Sequence, residues 1–180
     1  MKSYDRNQYQ ATEDGEFKTL PAGGYLAKIT SATDDTAKEY LKLEFEITEG
    51  EHAGFCSETY QRAHFWPLRS VRSYKETART FFNGFIAAVE NSNPGFTWGW
   101  DEKTLVGKAV GVVVGERDYL STSGDLKSGI EVAQIRSVQT IREGKFKVPE
   151  KKQLSAEDKA KLMGSAHAGD LAGSDEPLPF

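Results

Sequence analysis

Residues 20–62 have the sequence LPAGGYLAKITSATDDTAKEYLKLEFEITEGEHAGFCSETYQR, and their hydrophobic pattern specifies most of a small β-sheet. At the centre, Leu41–Ile47 (LKLEFEI) alternates apolar and polar side chains, and a period of two places the apolar set on one face of a strand. The flanking segments Tyr25–Ala32 and Phe55–Arg62 follow glycine-containing turns, and we interpret each as a further strand. The stretch therefore predicts a β-meander of three strands.

An amphipathic helix and two more strands are predicted beyond the meander. Ser73 and Glu76 have the spacing of a capping box, so the helix is expected to begin there. The apolar residues that follow at helical spacing should pack across an open end of the sheet; they are Ala78, Phe81, Phe82, Phe85, Ile86 and Val89. Leu105–Gly115 and Ile130–Ile141 are interpreted as the last two strands, with a polar connection at Glu116–Ser128. The predicted order is three strands, a helix and two strands.

Composition limits the class of protein. A length of 180 residues suits one domain with flexible ends. The single cysteine excludes an intrachain disulfide and favours a reducing cytoplasm. No segment approaches the ~20 apolar residues of a membrane span, and the first ten residues lack the apolar centre of a signal peptide, so we expect a cytoplasmic protein without membrane contact. The net charge of −4 argues against a generally basic nucleic-acid binder but allows local basic patches.

The predicted order of elements resembles that of the OB-fold, a five-stranded, partly open β-barrel that binds oligonucleotides or oligosaccharides. The runs LPAGGYLAKI, LKLEFEITEGEHAG, LVGKAVGVVV and GKFKVP also resemble the small single-stranded DNA-binding proteins of bacteriophages and prophages. This resemblance implies a protein of the host cytoplasm that coats single-stranded DNA during phage DNA replication, recombination or repair. We therefore expect a mainly β chain with an N-terminal arm at 1–16, an OB-fold domain at 17–149 and a flexible tail at 150–180.

The last six residues, DEPLPF, are similar to the acidic C-terminal tip of bacterial single-stranded DNA-binding proteins. In that family the terminal phenylalanine and its carboxylate dock in a basic-rimmed pocket on replication and repair enzymes. The resemblance assigns this docking role to Asp175, Glu176, Leu178, Pro179 and Phe180. Pro177 departs from the family pattern, in which an acid stands at this position. The alternatives are a solvated tail, a chance ending, and burial of Phe180 in the parent domain.

The most basic window of the chain, residues 60–79, combines cations with aromatic side chains and contains one acid, Glu76. A protein that binds single strands needs cations for phosphates and aromatic rings for bases, each stack being worth ~1–3 kcal/mol. The predicted stacking residues are Tyr60, Phe65 and Trp66, and the predicted phosphate partners are Arg62, Arg69, Arg72 and Lys75. Packing of Phe65 or Trp66 in the core is the alternative for those two rings.

Further candidates for DNA binding lie outside this window. Trp98 and Trp100 would share a face in an extended segment, although core packing is an equal expectation for one of them. Tyr119 lies in the predicted connection between the last two strands, where OB-folds often bind ligands. Tyr40 and Lys42 are expected on the outward face of the second strand, together with Glu44 and Glu46, which would repel phosphate.

Catalysis has no support in the sequence. The three histidines and the cysteine lack the spacing of a zinc site, and no glycine-rich phosphate loop is present, so we expect neither a metal nor another cofactor. Two other functions remain open. One is an adaptor that binds protein through its barrel and tail without contacting DNA, and the other is a small carbohydrate-binding barrel. An exposed edge strand also leaves room for a homodimer.

Overall fold

A computed structural model describes Ser3, Asp5, Asn7 and residues 19–170, with the backbone alone for 164–170. Most of the predicted N-terminal arm and the whole of the predicted docking tip lie outside the described residues. The strands are β1 (Gly23–Asp35), β2 (Tyr40–Ile47), β3 (Arg69–Ser73), β4 (Ala109–Leu120) and β5 (Leu126–Arg136). The helices are α1 (Phe55–Ala63), α2 (Arg79–Ser92), α3 (Val138–Arg142) and α4 (Ala156–Asp170).

The five strands form one antiparallel sheet in the order β3-β2-β1-β4-β5, so the expected mainly β class is confirmed. β1 pairs with both β2 and β4, and β2 continues the sheet to β3. Among the described residues no hydrogen-bonded pairing joins the edge strands β3 and β5, so hydrogen bonds do not close the sheet into a barrel. Three strands precede α2 and two follow it, as the sequence predicts.

The chain divides into two compact units. Among the described residues the first comprises 19–115 and 130–149, and the second comprises 116–129 and 150–170. The core of the first unit contains the alternating apolar residues of β2 together with Ile29 of β1 and Val110, Val112 and Val114 of β4. Phe82, Phe85 and Val89 of α2 belong to the same buried cluster.

The predicted third strand is wrong, because Phe55–Arg62 falls within helix α1. Phe55 and its neighbour Cys56 are both buried, which an alternating strand on a half-buried sheet would not allow. The third strand of the sheet is instead the five-residue β3, which pairs with β2 from Tyr40↔Ser73 to Glu44↔Arg69. Its sequence, RSVRS, has too few apolar residues for the pattern to reveal it.

The predicted start of the long helix is also wrong. Ser73 ends β3, a 3-10 turn covers Glu76–Ala78, and α2 begins at Arg79. The Ser73 hydroxyl accepts a hydrogen bond from the Lys75 amide and not from Glu76. The buried face of α2 is centred on Phe82, Phe85, Ala88 and Val89, whereas Phe81 is 77% exposed.

The last two strands are displaced relative to the prediction. β4 begins at Ala109 and β5 ends at Arg136, with only Ser121–Asp125 left as the connecting turn. Helix α3 then occupies the end of the predicted final strand. At Gly111 of β4, a β-carbon would lie 2.3 Å from a side-chain carbon of Ile141 and 2.9 Å from the carbonyl oxygen of Ser137. Glycine therefore allows α3 to pack directly on the strand.

The second unit is held by a short parallel pairing of Arg117 with Lys152 and by hydrogen bonds that Lys151 and Ser128 donate to the Asp118 carboxylate. The Asp118 amide donates to the Lys152 carbonyl at 2.8 Å, and the Lys152 amide donates to the Glu116 carbonyl at 2.9 Å. Helix α4 follows, with the Ser155 hydroxyl accepting from the Asp158 amide as an N-cap. This helix lies within the residues predicted as a flexible tail.

Candidate nucleic-acid interface

The pairing of β2 with β3 places three of the predicted DNA-binding residues on one surface. Residues that lie directly opposite in neighbouring strands project to the same side of a sheet. The buried Leu41 and Leu43 identify the inward side of β2, so the intervening residues and their partners face outward. We call this outward surface the β2–β3 face; it consists of Tyr40, Lys42 and Glu44 of β2 and Arg69, Val71 and Ser73 of β3.

Cations surround the exposed side of Tyr40. The Lys38 and Lys42 ammonium groups lie 5.9 and 5.6 Å from the centre of its ring, within cation–π range. Both ammonium groups also lie 3.8 Å from a carboxylate oxygen of Asp35. The two lysine side chains are exposed and the Asp35 carboxylate is half-buried, and ion pairs near the surface contribute only about 0–1 kcal/mol, so both ammonium groups are free to exchange this partner for another anion.

Arg69 lies at the other end of the β2–β3 face. Its Nε is 3.2 Å from the Glu44 carboxylate, so Glu44 is partly neutralised by a neighbour on the same surface. Val71 is exposed between Arg69 and Ser73 and gives the face an apolar centre. Lys38 and Val71 were not among the sequence-predicted residues. Once β3 is known to be a strand, the position of Val71 follows from its alternation.

Glu46 does not lie on this face, and its expected exposure is wrong. The side chain is buried, because it lies beyond the last β2–β3 pair, Glu44↔Arg69, and contacts the N-terminal turn of α1. Its Oε1 accepts hydrogen bonds from the amides of Ile47 and Cys56 at 3.0 and 2.9 Å. Oε2 accepts from the Ser57 amide at 2.7 Å and from the Ser57 hydroxyl.

Helix α1 needs this carboxylate because Gly54, its N-cap residue, has no side chain to cap the first turn. A negative charge at a helix N-terminus is also favoured by the helix dipole. The same carboxylate and the burial of the thiol raise the pKa of Cys56 to about 12, with burial the larger cause. Glu46 therefore stabilises the fold and lies outside the β2–β3 face.

The C-terminal end of α1 forms a second aromatic surface. The Tyr60 ring is 49% exposed and lies 5.9 Å from the ring of His64 and 6.1 Å from that of Trp66. Trp66 packs against the core, and its indole N–H donates to the Phe45 carbonyl at 2.8 Å. Phe65 is 52% exposed. Tyr60 and Phe65 are therefore accessible, whereas Trp66 is fixed against the core and packs against Tyr60.

The remaining cations of the basic window are dispersed. Arg62 is half-buried in the last turn of α1, and Lys75 is exposed just before the 3-10 turn. Arg72 pairs with the buried Leu41 and so projects to the inward side of β3. Its Nε and Nη2 are buried and have no hydrogen-bond partner among the described residues, and burial lowers the pKa of the guanidinium.

Trp98 and Trp100 lie together, with ring centres 4.9 Å apart and planes inclined by 40°. Trp98 is half-buried against the core and contacts Phe82 at 5.7 Å, whereas Trp100 is 76% exposed. They line a pocket of about 180 Å³. Its other lining residues are Asp34, Leu41, Tyr74, Phe82 and Glu102.

Tyr119 lies in the second unit, in strand β4 and not in a loop as predicted. A β-carbon at Gly129 would lie 3.1 Å from the Tyr119 ring, so the tyrosine covers a residue that has no side chain of its own. The Arg117 guanidinium lies 5.6 Å from the ring centre. The tip residues Asp175, Glu176, Leu178, Pro179 and Phe180 lie outside the described residues.

Within residues 19–170, no group of three or more His, Cys, Asp or Glu side chains is arranged to hold a metal ion. None of the helices in this part of the chain is both long enough and apolar enough to cross a membrane. Comparison of the sequence with models of known protein families gives no match, and comparison with curated proteins gives no significant match.

Proposed function

We propose that this protein binds single-stranded DNA without sequence preference and coats it during phage DNA replication or recombination. The sheet order β3-β2-β1-β4-β5, with α2 between the third and fourth strands, supports an OB-fold, although hydrogen bonds do not close the barrel in the described residues. In OB-folds the outer surface of the second and third strands is the usual site for oligonucleotides. The equivalent surface here is the β2–β3 face.

The observation that carries the proposal is the juxtaposition of Tyr40 with Lys42 and Arg69 on that face. A half-exposed ring flanked by cations offers both contacts that an unpaired nucleotide needs, a stacking surface and a phosphate partner. Because Glu46 is buried and is not part of this face, Glu44 is the only acid among the six residues that define it. Tyr60 and Phe65 provide further exposed rings in the same unit.

The C-terminal tip is proposed to recruit a replication or recombination enzyme, on the strength of its sequence alone. Under this proposal, deletion of residues 175–180 leaves DNA binding intact. An adaptor that does not contact DNA would instead depend on the tip and be indifferent to Tyr40. The two functions therefore separate with one deletion and one point substitution.

The test is fluorescence anisotropy of a labelled oligothymidylate, with the matching duplex as competitor. We expect binding of the single strand that weakens with salt, with a log–log slope of about −0.7 per phosphate neutralised. Tyr40→Ala should weaken binding by roughly 5- to 150-fold, which corresponds to one lost base stack. Lys42→Ala and Arg69→Ala should each weaken binding and make the salt slope shallower.

Two matched controls distinguish the β2–β3 face from the rest of the surface. Arg142 forms an exposed ion pair with Glu49 at 3.0 Å, much like that of Arg69 with Glu44, so Arg142→Ala controls for loss of a surface cation. Phe81 is an exposed ring on α2, so Phe81→Ala controls for Tyr40→Ala. Absence of salt-sensitive binding by the unmodified protein would refute DNA binding. If Arg142→Ala and Phe81→Ala weakened DNA binding as much as the substitutions on the β2–β3 face, the assignment of this face would be refuted.

A further inference from the structure

Four aromatic rings and two carboxylates surround the pocket beside Trp98. Tyr74 contacts Phe82 edge to face at 5.7 Å, Phe82 contacts Trp98 at 5.7 Å, and Trp98 contacts Trp100 at 4.9 Å. Asp34, Glu102 and the apolar Leu41 complete the lining. We call this site the aromatic–acidic pocket.

Hydrogen bonds fix the walls of the pocket before any ligand arrives. The Trp98 amide donates to the Glu90 carboxylate at 2.9 Å, and its indole N–H donates to the Asp101 carbonyl at 3.0 Å. On the opposite wall, the Tyr74 hydroxyl donates to the Asp34 carboxylate at 2.8 Å. Because these side chains are already held, binding would cost little side-chain entropy.

The charge of the lining selects the class of ligand. Asp34 and Glu102 are its only ionisable groups apart from the Tyr74 hydroxyl, and no lysine or arginine is among the residues that line it. The Glu102 carboxylate forms no hydrogen bond or ion pair with any described residue. Phosphate would be repelled here, whereas a cation would gain both carboxylate attraction and the negative faces of the rings.

The size of the pocket and the conformation of Trp100 restrict the ligand further. About 180 Å³ corresponds to the volume of roughly six liquid waters, which suits one side-chain head group and is too small for a nucleotide. Trp100 has a φ of +64°, a left-handed conformation that is costly for a bulky residue, and yet its ring is 76% exposed. Core packing does not account for that strained placement.

We propose that the aromatic–acidic pocket binds an organic cation of the guanidinium or ammonium class. The rings of Trp98 and Trp100 contact the face of the cation and its alkyl stem, and Glu102 supplies the counter-charge. This assignment does not depend on DNA binding. Under it, Trp98 and Trp100, which the sequence suggested as DNA-binding residues, contact the cation and not DNA. Two sources carry the same chemistry, namely the arginine or lysine side chain of a partner protein and a free polyamine.

The indole N–H signals of the tryptophans in a ¹H–¹⁵N NMR spectrum of the full chain provide the test. Acetyl-arginine-amide is titrated as the side-chain probe, spermidine as the polyamine, and acetyl-citrulline-amide as the uncharged equivalent of arginine. We expect saturable shifts of the Trp98 and Trp100 signals with the two cations and weaker binding of citrulline, by roughly fivefold or more. The tighter of the two cations identifies the source.

Glu102→Gln removes the counter-charge while keeping the side-chain shape, and Trp100→Ala removes one ring. Each should weaken cation binding by roughly fivefold or more, whereas Phe81→Ala should leave it unchanged. Thermal unfolding of each variant establishes that it is folded. Equal binding of citrulline and arginine, no effect of Glu102→Gln, or saturable shifts of the Trp100 signal by oligothymidylate in competition with arginine would each overturn the assignment.

Discussion

Replacement of Glu46 by alanine should destabilise the N-terminal turn of α1. The substitution leaves the amides of Cys56 and Ser57 without the acceptors that now lie at 2.9 and 2.7 Å. A hydrogen bond to a charged group contributes ~1.5–3 kcal/mol, so the loss of two predicts a cost of about 3–6 kcal/mol. Since small proteins have ~5–15 kcal/mol of total stability, this is a large fraction of it.

Cys56 provides the assay, because it is the chain's only thiol, is fully buried, and lies in the affected turn. Its rate of labelling by an aromatic disulfide reagent under native conditions reports how often α1 opens. A cost of about 3–6 kcal/mol predicts labelling faster by roughly 100-fold or more, together with a lower midpoint of urea unfolding. Glu46→Gln keeps one acceptor oxygen and should give a smaller effect.

The matched control is Glu44→Ala, two residues earlier on the same strand. Glu44 is half-buried and pairs only with the exposed Arg69 among described residues, so its loss should change stability by less than ~1 kcal/mol. Labelling of Cys56 in Glu46→Ala at the rate of the unmodified protein would refute the capping role. Equal effects of the two alanine variants would refute it as well.

Two further predictions concern charges elsewhere in the fold. Arg72→Met should raise the free energy of unfolding in urea by ~1–3 kcal/mol, because it removes buried nitrogens that have no described hydrogen-bond partner. A loss of stability would contradict this and show that the guanidinium has a partner. Hydrogen bonds from Lys151, and secondarily from Ser128, lower the pKa of Asp118. The charged carboxylate therefore stabilises the fold fully above the ordinary pKa of an aspartate, and this stabilisation is lost as the pH falls through the lowered pKa of Asp118. In a carbon-13 NMR titration the Asp118 midpoint should lie below that of an unstructured aspartate and rise in Lys151→Met; an unchanged midpoint would contradict this account.

Periodicity was sufficient for the central strands and insufficient for the segment after them. β1 and β2 are long and have one buried face, so alternation located both. Phe55–Arg62 has a weak pattern that fits a short strand or a short helix. The deciding contact is the cap from Glu46, which belongs to the preceding strand and is brought close only by the folded chain. A hydrophobic pattern within residues 55–62 alone cannot reveal a contact with another segment of the chain.

The same limit applies to the candidate sites. The outward position of Tyr40 and Lys42 follows from the alternation of β2. Arg69 is predicted from the sequence as a phosphate partner, but its position on the same face as Tyr40 depends on the cross-strand register. The aromatic–acidic pocket unites the end of β1 with residues more than sixty positions later, such as Glu102. The sequence indicated that Trp98 and Trp100 lie close together, but no pattern in it predicts that the carboxylate of Asp34 lines the same pocket.

The close pair of Trp98 and Trp100 has a spectroscopic consequence. Two indole rings at 4.9 Å and inclined by 40° couple their electronic transitions, and such coupling produces a paired positive and negative band in far-ultraviolet circular dichroism. This band overlaps the signals of helix and sheet, so helix content estimated from the raw spectrum would be in error. Subtraction of the spectrum of Trp100→Ala would isolate the band, which then reports the relative orientation of the two rings directly, without any added label.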